Sequence, residues 1–597
     1  MLFAPDCRLK DSIMLLYRKL FLYHTELNNI HFLARFLHIH IADIYAQGHQ
    51  HTSFSRISVH YRSAGAKQTK DTAMRIKQPM TNAIVVMFDS LQFNYLGCYG
   101  NDWIKTPNFD RFAREGILFE NAYSNGLPTL PVRRSMLTGR YTLHDIGWAP
   151  LRQEDTSIAD LCWGTGIDTA IAYNTIPMFM VKGGFARSFA HVEYSRGFEN
   201  THFEGDILYT HHSVEEYLTD PGFLDRLRAN PDGEAVEQVI RRELDSYLRD
   251  KQYWKSEEDQ PVVTNIRNAI ALLKKADRTH PFFMWIDSWD PHEPWAPPST
   301  WDPDLKCPYD PDYDGCDIWF PPMLPVAGVL TEEQMHHTRM LYAETITMCD
   351  KYFAELIDTI RSLGYEENTL VWLCSDHGEP MGNGEHGHGL MGKCRPWPYE
   401  ELVHIPLVIR APGLEPGKRI KAFVQDCDCA PTILDWLGLP IPANMTGKSL
   451  LPLCRGEVEK VRDFAVSGYY SASWSIITED WSFIHWLDKL ENATYAQAMA
   501  KVVSAECLNR AQSYLREKAP EDEPEAVKVQ KEIATLDGED QWTCTLGARM
   551  DVPDGDELYD RRIDPFQLDN VIGQHPEIAK ELYQKLTDFM TDLINAG

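Results

Sequence analysis

A threonine and an arginine four positions apart, Thr129 and Arg133, have the residue types and spacing for attack on an anion. Prolines and a glycine around Thr129 favour a loop, and the residues from about Arg133 to near Gly139 favour a short helix. Thr129 is then expected at the loop-to-helix junction, where free backbone N–H groups and the helix dipole attract negative charge. A hydroxyl beside a planar, permanently charged guanidinium suits nucleophilic attack on phosphate or sulfate. The alternative is that Thr129 only caps the helix.

Three residues with metal-binding side chains follow two apolar runs. The run 83–88 ends at Asp89, and the run 369–374 is followed closely by Asp376 and His377. Such runs are typical of buried parallel strands, and ligands bind at the carboxyl ends of such strands. The adjacent Asp and His can reach one divalent ion if the turn is tight, and the glycine that follows them permits such a turn. Asp89 is equally consistent with a helix cap.

Two loops carry further imidazole or ammonium groups. His292 stands between two prolines after an apolar run, a rigid position that suits proton transfer better than a helix surface does. The glycine-rich segment 384–393 contains His386, His388 and Lys393, and a small loop of this kind suits a substrate site. The alternatives are a purely structural His292 and loop histidines that face solvent.

Alternating apolar runs and helical patterns form the elements that must position these groups. Strands alternating with helices indicate an α/β fold with a large, mostly parallel sheet, helices on both of its faces, and a smaller C-terminal α+β domain. The hydrophobic patterns predict strands at 83–88, 117–119, 167–173, 282–286, 369–374 and 407–409, and helices at 109–116, 234–253, 332–363 and 430–437.

The composition is that of a globular protein with a strong negative balance. The chain has 597 residues, 44% of them hydrophobic and 24% charged, which is enough for a large core and more than one domain. A net charge of −29 argues against nucleic acid and against an anionic membrane as partners. The thirteen cysteines show no disulfide or zinc-finger framework, so reduced thiols and a cytoplasmic location are expected. Residues 1–79 show no signal peptide and no spanning segment, and an over-extended start is an open alternative for them.

Three short motifs occur in a fixed order along the chain. They are Asp89 after the first strand, Thr129-x-Pro-x-Arg133 before Leu137-Thr-Gly-Arg140, and Ser375-Asp-His-Gly-Glu379 before His388-Gly-Leu-x-x-Lys393. In this order they resemble the sulfatase family of the alkaline phosphatase superfamily. Supporting similarities are Leu96-Gly-Cys-Tyr-Gly100, Asp290-Pro-His-Glu-Pro-Trp295, His404-Ile-Pro-Leu407 and Glu557-Leu-Tyr-Asp560. The resemblance covers about residues 80–597.

The resemblance implies one divalent cation in the large domain. Asp89, Asp376 and His377 would bind the cation, and the nucleophile Thr129 would lie on the same ion. Arg133 would steady both the nucleophile and the ester oxyanion.

Further roles are implied around that cation. His292 would protonate the leaving group, and Lys393 would contact the substrate anion. His388 matches the family's His-Gly-Leu pattern as a substrate contact, with His386 as its neighbouring competitor, and His144 is a further candidate contact.

The implied domain boundaries follow the same resemblance. Residues 80–455 would form the catalytic domain with a charged insertion at about 200–265. Residues 456–597 would form the C-terminal subdomain with a helical insertion at about 492–533.

Several departures from the family pattern point towards phosphorus. Thr129 stands where sulfatases of this type carry the Cys or Ser that becomes formylglycine, and threonine cannot give that aldehyde. Ser90 replaces the second residue of the usual Asp-Asp pair, and His377 replaces an asparagine. An Asp-His pair resembles the family's phosphonate ester hydrolases, and a threonine nucleophile resembles its phosphodiesterase and phosphoethanolamine transferase relatives. An imidazole ligand favours Zn²⁺ or Mn²⁺, with Ca²⁺ and Mg²⁺ as alternatives.

Three functions are consistent with these residues. The favoured one is a metal-dependent hydrolase of phosphate esters, either diesters or phosphonate-type monoesters, through a covalent Thr129 intermediate. The second is a sulfate ester hydrolase that uses an unmodified Thr129, and the third is an inactive member retained for binding. The expected partner is a small anionic ester, and a homo-oligomer is a reasonable default.

Overall fold

The computed structural model describes residues 81–596, with gaps. The gaps are 176–183 except Met178, 197–219 except Glu215, 231–232, 323–324, 384–386, 393–396 and 488–554, and the single positions 146, 148, 150 and 471. The N-terminal extension, the predicted helical insertion 492–533, and the candidates His386 and Lys393 therefore lie outside the described residues. The two sheets below lie in one structural unit, Ile76–Gly597, and the predicted domain boundaries within it stay predictions.

An eight-stranded sheet forms the centre of the described structure. The strands of the large domain are β1 (Asn82–Phe88), β2 (Ile117–Tyr123), β3 (Asp168–Tyr173), β4 (His191–Tyr194), β5 (Phe282–Ser288), β6 (Thr369–Ser375), β7 (Met381–Gly382), β8 (Leu390–Met391), β9 (Leu407–Arg410) and β10 (Lys418–Gln425). The sheet order is β10-β2-β9-β6-β1-β5-β3-β4, and β7 and β8 form a separate two-stranded ribbon. All ladders of the large sheet are parallel except those of β9, which is antiparallel to β2 and β6.

The central strands β1, β5 and β6 are buried along their whole length, as their continuous apolar sequences predict. Their register pairs Phe88 with both Ser288 and Ser375. The residues directly after β1 and β6 are Asp89 and Asp376, and they therefore emerge at the same edge of the sheet. The predicted clustering of candidate ligands thus follows from strand register alone.

Helices flank this sheet, which confirms the predicted α/β class with a mostly parallel sheet. They are α1 (Pro107–Glu115), α2 (Thr129–Thr138), α3 (Ile158–Cys162), α4 (Pro221–Ala229), α5 (Gly233–Lys251), α6 (Pro261–Lys275), α7 (Glu332–Ser362), α8 (Glu400–Val403), α9 (Cys429–Trp436), α10 (Leu451–Cys454) and α11 (Pro576–Ala596). The long helix α7 begins with a capping box, in which the Thr331 hydroxyl accepts a hydrogen bond from the Gln334 backbone N–H at 3.1 Å.

Helix α2 begins four residues earlier than the sequence predicts. Its first residue is Thr129 rather than about Arg133, and Pro131 lies inside its first turn. A proline is tolerated there because the first N–H groups of a helix have no intrahelical acceptor. The helix ends as predicted, at Gly139, whose φ of 66° suits a residue without Cβ.

A four-stranded antiparallel sheet forms the smaller C-terminal domain. It consists of β11 (Ala465–Tyr469), β12 (Ser473–Ile477), β13 (Trp481–Trp486) and β14 (Glu557–Asp560), in that order. Apolar residues of α11, including Leu586 and Met590, pack with Ile476 and Phe483 of the sheet. Among the described residues, no helix combines the length and the apolar character needed to cross a membrane, and the cysteines there are free thiols.

Candidate active site

The carboxyl ends of β1 and β6 bring three metal-binding side chains together. One ligand atom from each of Asp89, Asp376 and His377 lies within 4.8 Å of the other two, and all three residues are fully buried. His377 Nε2 is 3.5 Å from Asp376 Oδ2 and 4.0 Å from Asp89 Oδ1. The three predicted ligands therefore face one point.

The turn after β6 sets the orientation of the imidazole. His377 Nδ1 is 2.8 Å from the Gly378 carbonyl oxygen, so Nδ1 carries a proton and donates it there, and the other ring nitrogen, Nε2, faces the carboxylates. A Cβ at Gly378 would lie 2.0 Å from the Glu401 carbonyl oxygen, a distance at which no side chain fits. The glycine in the motif is therefore required by this close approach of two backbones.

Ser90 orients the carboxylates from the position where the family more often has a second aspartate. Its backbone N–H donates to Asp376 Oδ1 at 3.0 Å, and its hydroxyl donates to Asp89 Oδ1 at 2.8 Å. Its φ of 60° is a left-handed conformation that is costly for a non-glycine residue. These two hydrogen bonds hold both candidate ligands in place.

Thr129 faces this group from the N-terminus of α2. Its hydroxyl oxygen is 3.4 Å from His377 Nε2, and the residue is fully buried. The interpretation of Thr129 as a helix cap is wrong, because the capping position is Pro128 and Thr129 is the first helical residue. The hydroxyl is therefore directed to the candidate metal ligands instead of to the helix backbone.

Arg133 lies one turn further along α2 and contacts three carboxylates. Its Nε and Nη2 donate to the two oxygens of Asp287 at 3.0 and 2.8 Å. Its Nη1 donates to Asp376 Oδ2 at 2.6 Å and to the Thr129 carbonyl oxygen at 3.3 Å, and Nη2 is 3.0 Å from Asp89 Oδ2. The guanidinium thus joins the predicted nucleophile, two predicted metal ligands and a third carboxylate.

That third carboxylate, Asp287, is a site residue that sequence reasoning missed. It belongs to the carboxyl end of β5, the strand next to β1, and it accepts hydrogen bonds from Trp285 Nε1 at 3.0 Å and from the Thr175 hydroxyl. The signal was the same one that identifies Asp89, an aspartate at the end of an apolar run. Asp287 holds the bidentate side of Arg133 in a fixed orientation.

Negative charge exceeds positive charge in this buried site. One guanidinium, that of Arg133, faces three carboxylates, Asp89, Asp287 and Asp376. Burial acts to lower the pKa of Arg133, but these three carboxylates outweigh it and raise the pKa. Burial, with the charge of Asp89 as a smaller cause, raises the pKa of Glu293, which is also fully buried. Such an excess is costly in a protein interior unless a proton or a cation compensates it.

The donor set fits a divalent cation. Two carboxylates and one imidazole nitrogen converge in a buried position, and a second layer of donors, Ser90 and Arg133, fixes the carboxylates. Asp89, Asp376 and His377 would bind the ion, with the Thr129 hydroxyl next to it.

His292 occupies a buried, rigid position after β5. Its ring stacks on Trp289 with 3.8 Å between centroids, and its Nδ1 contacts the Glu293 carbonyl oxygen and lies 3.3 Å from Glu293 Oε2. These contacts fix the ring through Nδ1, so a proton passed to a leaving group would come from Nε2. The predicted role of His292 as a general acid stays a prediction.

The two other predicted substrate contacts that the structure describes differ in their partners: His388 is hydrogen-bonded to protein groups, whereas His144 Nδ1 is buried without a hydrogen-bond partner. His388 is bonded through both ring nitrogens, to Glu401 Oε1 at 3.1 Å and to the Gln567 carbonyl oxygen at 3.0 Å. His144 lies near Asp145 and Arg134, and burial lowers its pKa. Neither arrangement involves the Asp89, Asp376 and His377 group, and the substrate-binding roles of both histidines stay predictions.

Comparison with known proteins gives two family matches. The sulfatase family model matches residues 81–439, more than half of the chain. A model of the N-sulphoglucosamine sulphohydrolase C-terminal region matches residues 384–498.

The individual relatives are distant in sequence, and one solved structure is similar in fold. Arylsulfatase K of Rattus norvegicus is 26% identical over 417 residues, which are 65% of this chain and 65% of the rat protein, so the match spans just under two thirds of that relative. An N-acetylglucosamine-6-O-sulfatase of Bacteroides thetaiotaomicron is 24% identical over 497 residues, covering 69% of this chain and 79% of the relative. The crystal structure of a phosphonate monoester hydrolase of Agrobacterium radiobacter superposes with a TM-score of 0.56 at 18% identity, covering 86% of this chain and 96% of that one.

These findings confirm the resemblance read from the motifs, and the names of the matched relatives agree with the predicted class of ester hydrolase. Sulfatase-family enzymes use a divalent metal ion, and the group of Asp89, Asp376 and His377 is a candidate place for one here. The chain belongs to the sulfatase family.

Proposed function

We propose that this protein is a metal-dependent hydrolase of phosphate esters that carry one negative charge, namely phosphodiesters or phosphonate monoesters. The observation that carries the proposal is the position of the Thr129 hydroxyl, 3.4 Å from His377 Nε2 and beside the buried ligand group. A threonine at this position cannot become formylglycine, so turnover has to proceed through an ordinary ester of Thr129. Formation and hydrolysis of such an ester are common chemistry for phosphorus.

The residues of the site have the parts for a two-step displacement. A divalent ion bound by Asp89, Asp376 and His377 would lower the pKa of the neighbouring Thr129 hydroxyl. After losing its proton to solvent, Thr129 Oγ1 attacks phosphorus, and the bond from phosphorus to the leaving oxygen breaks. His292 gives that oxygen its proton from Nε2. Water then gives one proton to His292 Nε2 and attacks the phosphothreonine, the bond from phosphorus to Oγ1 breaks, and Oγ1 takes a proton from solvent.

Arg133 has two functions in this scheme. Its hydrogen bond to the Thr129 carbonyl oxygen fixes the first turn of α2, and its charge lies next to the point where the ester oxygens would bind. Asp287 keeps the guanidinium in this orientation through two hydrogen bonds. Both effects act on the transition state because the groups are positioned before the substrate arrives.

The charge of the site supports a monoanionic substrate. Three carboxylates, one guanidinium and one divalent ion balance to no net charge among the described groups at the nucleophile. Phosphodiesters and phosphonate monoesters carry one negative charge, whereas a phosphate monoester is mostly a dianion at neutral pH. Because the site has no net charge, a dianion would bring two uncompensated charges into it where a monoanion brings one. We therefore expect monoesters of phosphate to be poorer substrates.

A sulfate ester hydrolase is the second candidate function. The observations that favour it are the sulfatase family match and the names of the relatives, and a sulfate monoester is also a monoanion. The same residues would act on it, with Thr129 attacking sulfur.

The test is an assay on a matched series of aryl esters with one leaving group: a phosphodiester, a phosphonate monoester, a sulfate monoester and a phosphate monoester. Purified protein is first analysed for bound metal and then reconstituted separately with Zn²⁺, Mn²⁺, Ca²⁺ and Mg²⁺. We expect kcat/KM for the diester or phosphonate to exceed that for the sulfate and the phosphate monoester by at least about tenfold, equivalent to about 1.4 kcal/mol in the barrier.

Each other outcome points to a different function. A preference for the sulfate monoester would reject the proposal in favour of the second candidate. One bound metal per chain with no turnover of any ester would identify an inactive member of the family. The metal-free protein serves as the control for spontaneous and contaminating hydrolysis.

A further inference from the structure

His388 lies between two hydrogen-bond acceptors, one in α8 and one that follows β14. Its Nδ1 is 3.1 Å from Glu401 Oε1, a residue of α8, and its Nε2 is 3.0 Å from the Gln567 backbone carbonyl oxygen, which follows β14. The ring also stacks face to face on Tyr399, with 3.9 Å between centroids and an angle of 2° between planes. His388 therefore joins its own segment to α8 and to the C-terminal part of the chain.

The two hydrogen bonds together require a particular protonation state. A backbone carbonyl oxygen can only accept, and an ionised carboxylate can only accept. A neutral imidazole has one N–H and can serve only one of them, whereas an imidazolium has two N–H groups and serves both. The geometry at His388 is that of an imidazolium.

The residues tied by His388 belong to the glycine-rich segment of the site. The described part of that segment, 387–392, contains β8, which pairs with β7 shortly after the candidate ligand His377. In the sequence it directly precedes Lys393, the predicted substrate contact. Leu568 lies close to the same segment, since a Cβ added at Gly387 would be 3.3 Å from Leu568 Cδ2.

The far end of the tie is itself rigid. Gln567 is buried, its side-chain oxygen accepts a hydrogen bond from the Glu400 N–H at 2.6 Å, and its amide donates to the Ser482 hydroxyl at 2.6 Å. Its φ of 62° places it in the left-handed region, where side chains are uncommon. The carbonyl that receives His388 Nε2 is thus fixed by bonds to both α8 and β13.

We propose that His388 is a positioning residue, which as an imidazolium ties segment 387–392 to Glu401 and Gln567 and which loosens that segment when it loses its proton. The proposal rests on the proposed function only for its effect on turnover, since the tie itself is a property of the fold.

The charged surroundings favour the protonated form. The titratable groups that face His388 are Glu401 from α8, Tyr399 just before α8, and Glu557 from β14. Burial acts to lower the pKa of His388, but the hydrogen bond and charge of Glu401, together with the Gln567 carbonyl and Glu557, outweigh it and raise the pKa. A raised pKa means that the tie is complete below the ordinary histidine value of 6.5 and is lost as the pH rises through the raised pKa of the folded protein.

The first experiment measures amide hydrogen exchange of the full chain between pH 6 and pH 9. Peptides covering 387–392 are compared with peptides covering β12 and β13, and every rate is corrected for the intrinsic effect of pH. We expect protection of 387–392 to fall by about tenfold towards pH 9, since one hydrogen bond to a charged group is lost there. Protection of the β12 and β13 peptides should change by less than about twofold, which serves as the internal reference.

Three variants separate a titrating tie from a merely structural histidine. Glu401→Gln replaces the carboxylate by an amide, which can donate to neutral Nδ1, so both bonds persist at high pH and the fall in protection should disappear. His388→Phe keeps the stacking on Tyr399 and removes both bonds, so protection should be low at every pH. Tyr399→Phe is the matched control, because it keeps the ring and both His388 bonds and should behave like the unchanged protein.

The same variants connect the tie to turnover. If the proposed activity is present, KM for the preferred ester should rise at alkaline pH, with a smaller change in kcat, and Glu401→Gln should remove that rise. Protection of 387–392 that does not depend on pH, or that falls equally in Glu401→Gln, would overturn the proposal. If no ester is turned over but the exchange pattern is as expected, the tie stands and the proposed function fails, so the two results are distinguishable.

Discussion

Two arginines with little or no solvent exposure have different charge balances: the Arg462 side chain is 11% exposed and the Arg133 side chain is fully buried. Arg462 forms a bidentate pair with Asp428 alone, and that carboxylate also accepts the backbone N–H groups of Gln425 and Lys448 at 2.9 and 2.8 Å. Arg133 faces Asp89, Asp287 and Asp376 together. One group is matched charge for charge, and the other carries two negative charges more than it can neutralise.

The difference separates a structural ion pair from a site that is arranged for a ligand. A buried pair that is balanced and fully hydrogen-bonded stabilises one arrangement of the chain, and nothing further has to bind. The excess negative charge around Arg133 is costly unless a cation binds there. The two uncompensated negative charges equal the charge of one divalent ion. The fold therefore holds unfavourable electrostatics at the sheet edge where the candidate metal ligands lie.

The largest expected effect is on turnover and comes from Thr129. Thr129→Ala removes the proposed nucleophilic oxygen at the Arg133 group, so kcat should fall by at least about a thousandfold. The variant should keep its bound metal and its thermal midpoint within a few degrees, because only one hydroxyl group and one methyl group are lost. Steady-state kinetics, metal analysis and calorimetry check these three points.

Thr129→Ser is the control for this prediction, since it restores the hydroxyl without the methyl group. It should recover a measurable part of kcat. Unchanged turnover in Thr129→Ala would reject Thr129 as the nucleophile.

The second prediction exchanges one carboxylate for its amide in each arginine group. Asp428→Asn leaves Arg462 buried without a counter-charge, so the free energy of unfolding should fall by about 3–5 kcal/mol. Asp287→Asn leaves Arg133 with Asp89 and Asp376, so the loss should be nearer about 1 kcal/mol, while affinity for the metal should fall because the site becomes less negative.

Urea unfolding and calorimetric metal titration of both variants measure this contrast. Similar losses of stability in both variants, with unchanged metal affinity in Asp287→Asn, would show that the two arginine groups do not differ in the way that their charges imply.

The third prediction concerns the metal itself. His377→Ala removes the one imidazole from the ligand group, so affinity for Zn²⁺ should fall by more than the roughly 10–100-fold that loss of an outer-shell partner costs, with a smaller effect on Ca²⁺. Metal titrations of the variant and of the unchanged protein, after removal of bound ions with a chelator, provide the measurement. Equal losses for both ions would argue against a direct bond from the imidazole.

The smallest expected effect is the pH dependence of the stability that the buried carboxylate of Glu400 contributes. Glu400 is buried and bonded to Tyr123 at 2.9 Å and to His404 at 2.8 Å, with Arg561 at 3.4 Å. Burial raises the pKa of Glu400, but Arg561 and His404 outweigh it and lower the pKa to about 2 from an ordinary value of 4.5. Its contribution to stability is therefore complete above about pH 4.5 and is lost as the pH falls towards 2.

Glu400→Gln should remove this dependence without changing the Arg133 group. The stability difference between the unchanged protein and the variant should shrink by at most about 1.4 kcal/mol per pH unit in that window. Urea unfolding at pH 5, 4 and 3 gives the difference, and a constant value would contradict the assigned pKa.

Much of the site could be predicted because its residues lie at the ends of recognisable elements. Continuous apolar runs precede Asp89, Asp376 and His377, and such runs predict strands buried on both faces, as the structure has them. Parallel strands end at a common edge of the sheet. Their grouping needed only the register of β1 and β6. Asp287 was missed because its importance depends on its partner Arg133, which approaches from another element.

His388 shows the other limit of sequence reasoning. The glycine-rich segment predicts a substrate contact for this histidine, which stays a prediction, but nothing in the segment indicates which groups its ring nitrogens bond. The partners that bond both of its nitrogens come from α8 and from the turn after β14, the second of them 179 residues away along the chain. Contacts over such separations arise from packing, which local patterns do not encode.

The sequence by itself determined the α/β class, the buried central strands, the order of the motifs and the identity of three candidate metal ligands, because these depend on local hydrophobic pattern and on strand ends. Only the tertiary structure decided that α2 begins at Thr129 and turns its hydroxyl to His377, and that Arg133 is shared among three carboxylates. The physical reason is that these features depend on distances between elements far apart in the chain, and such distances are set when the whole core packs.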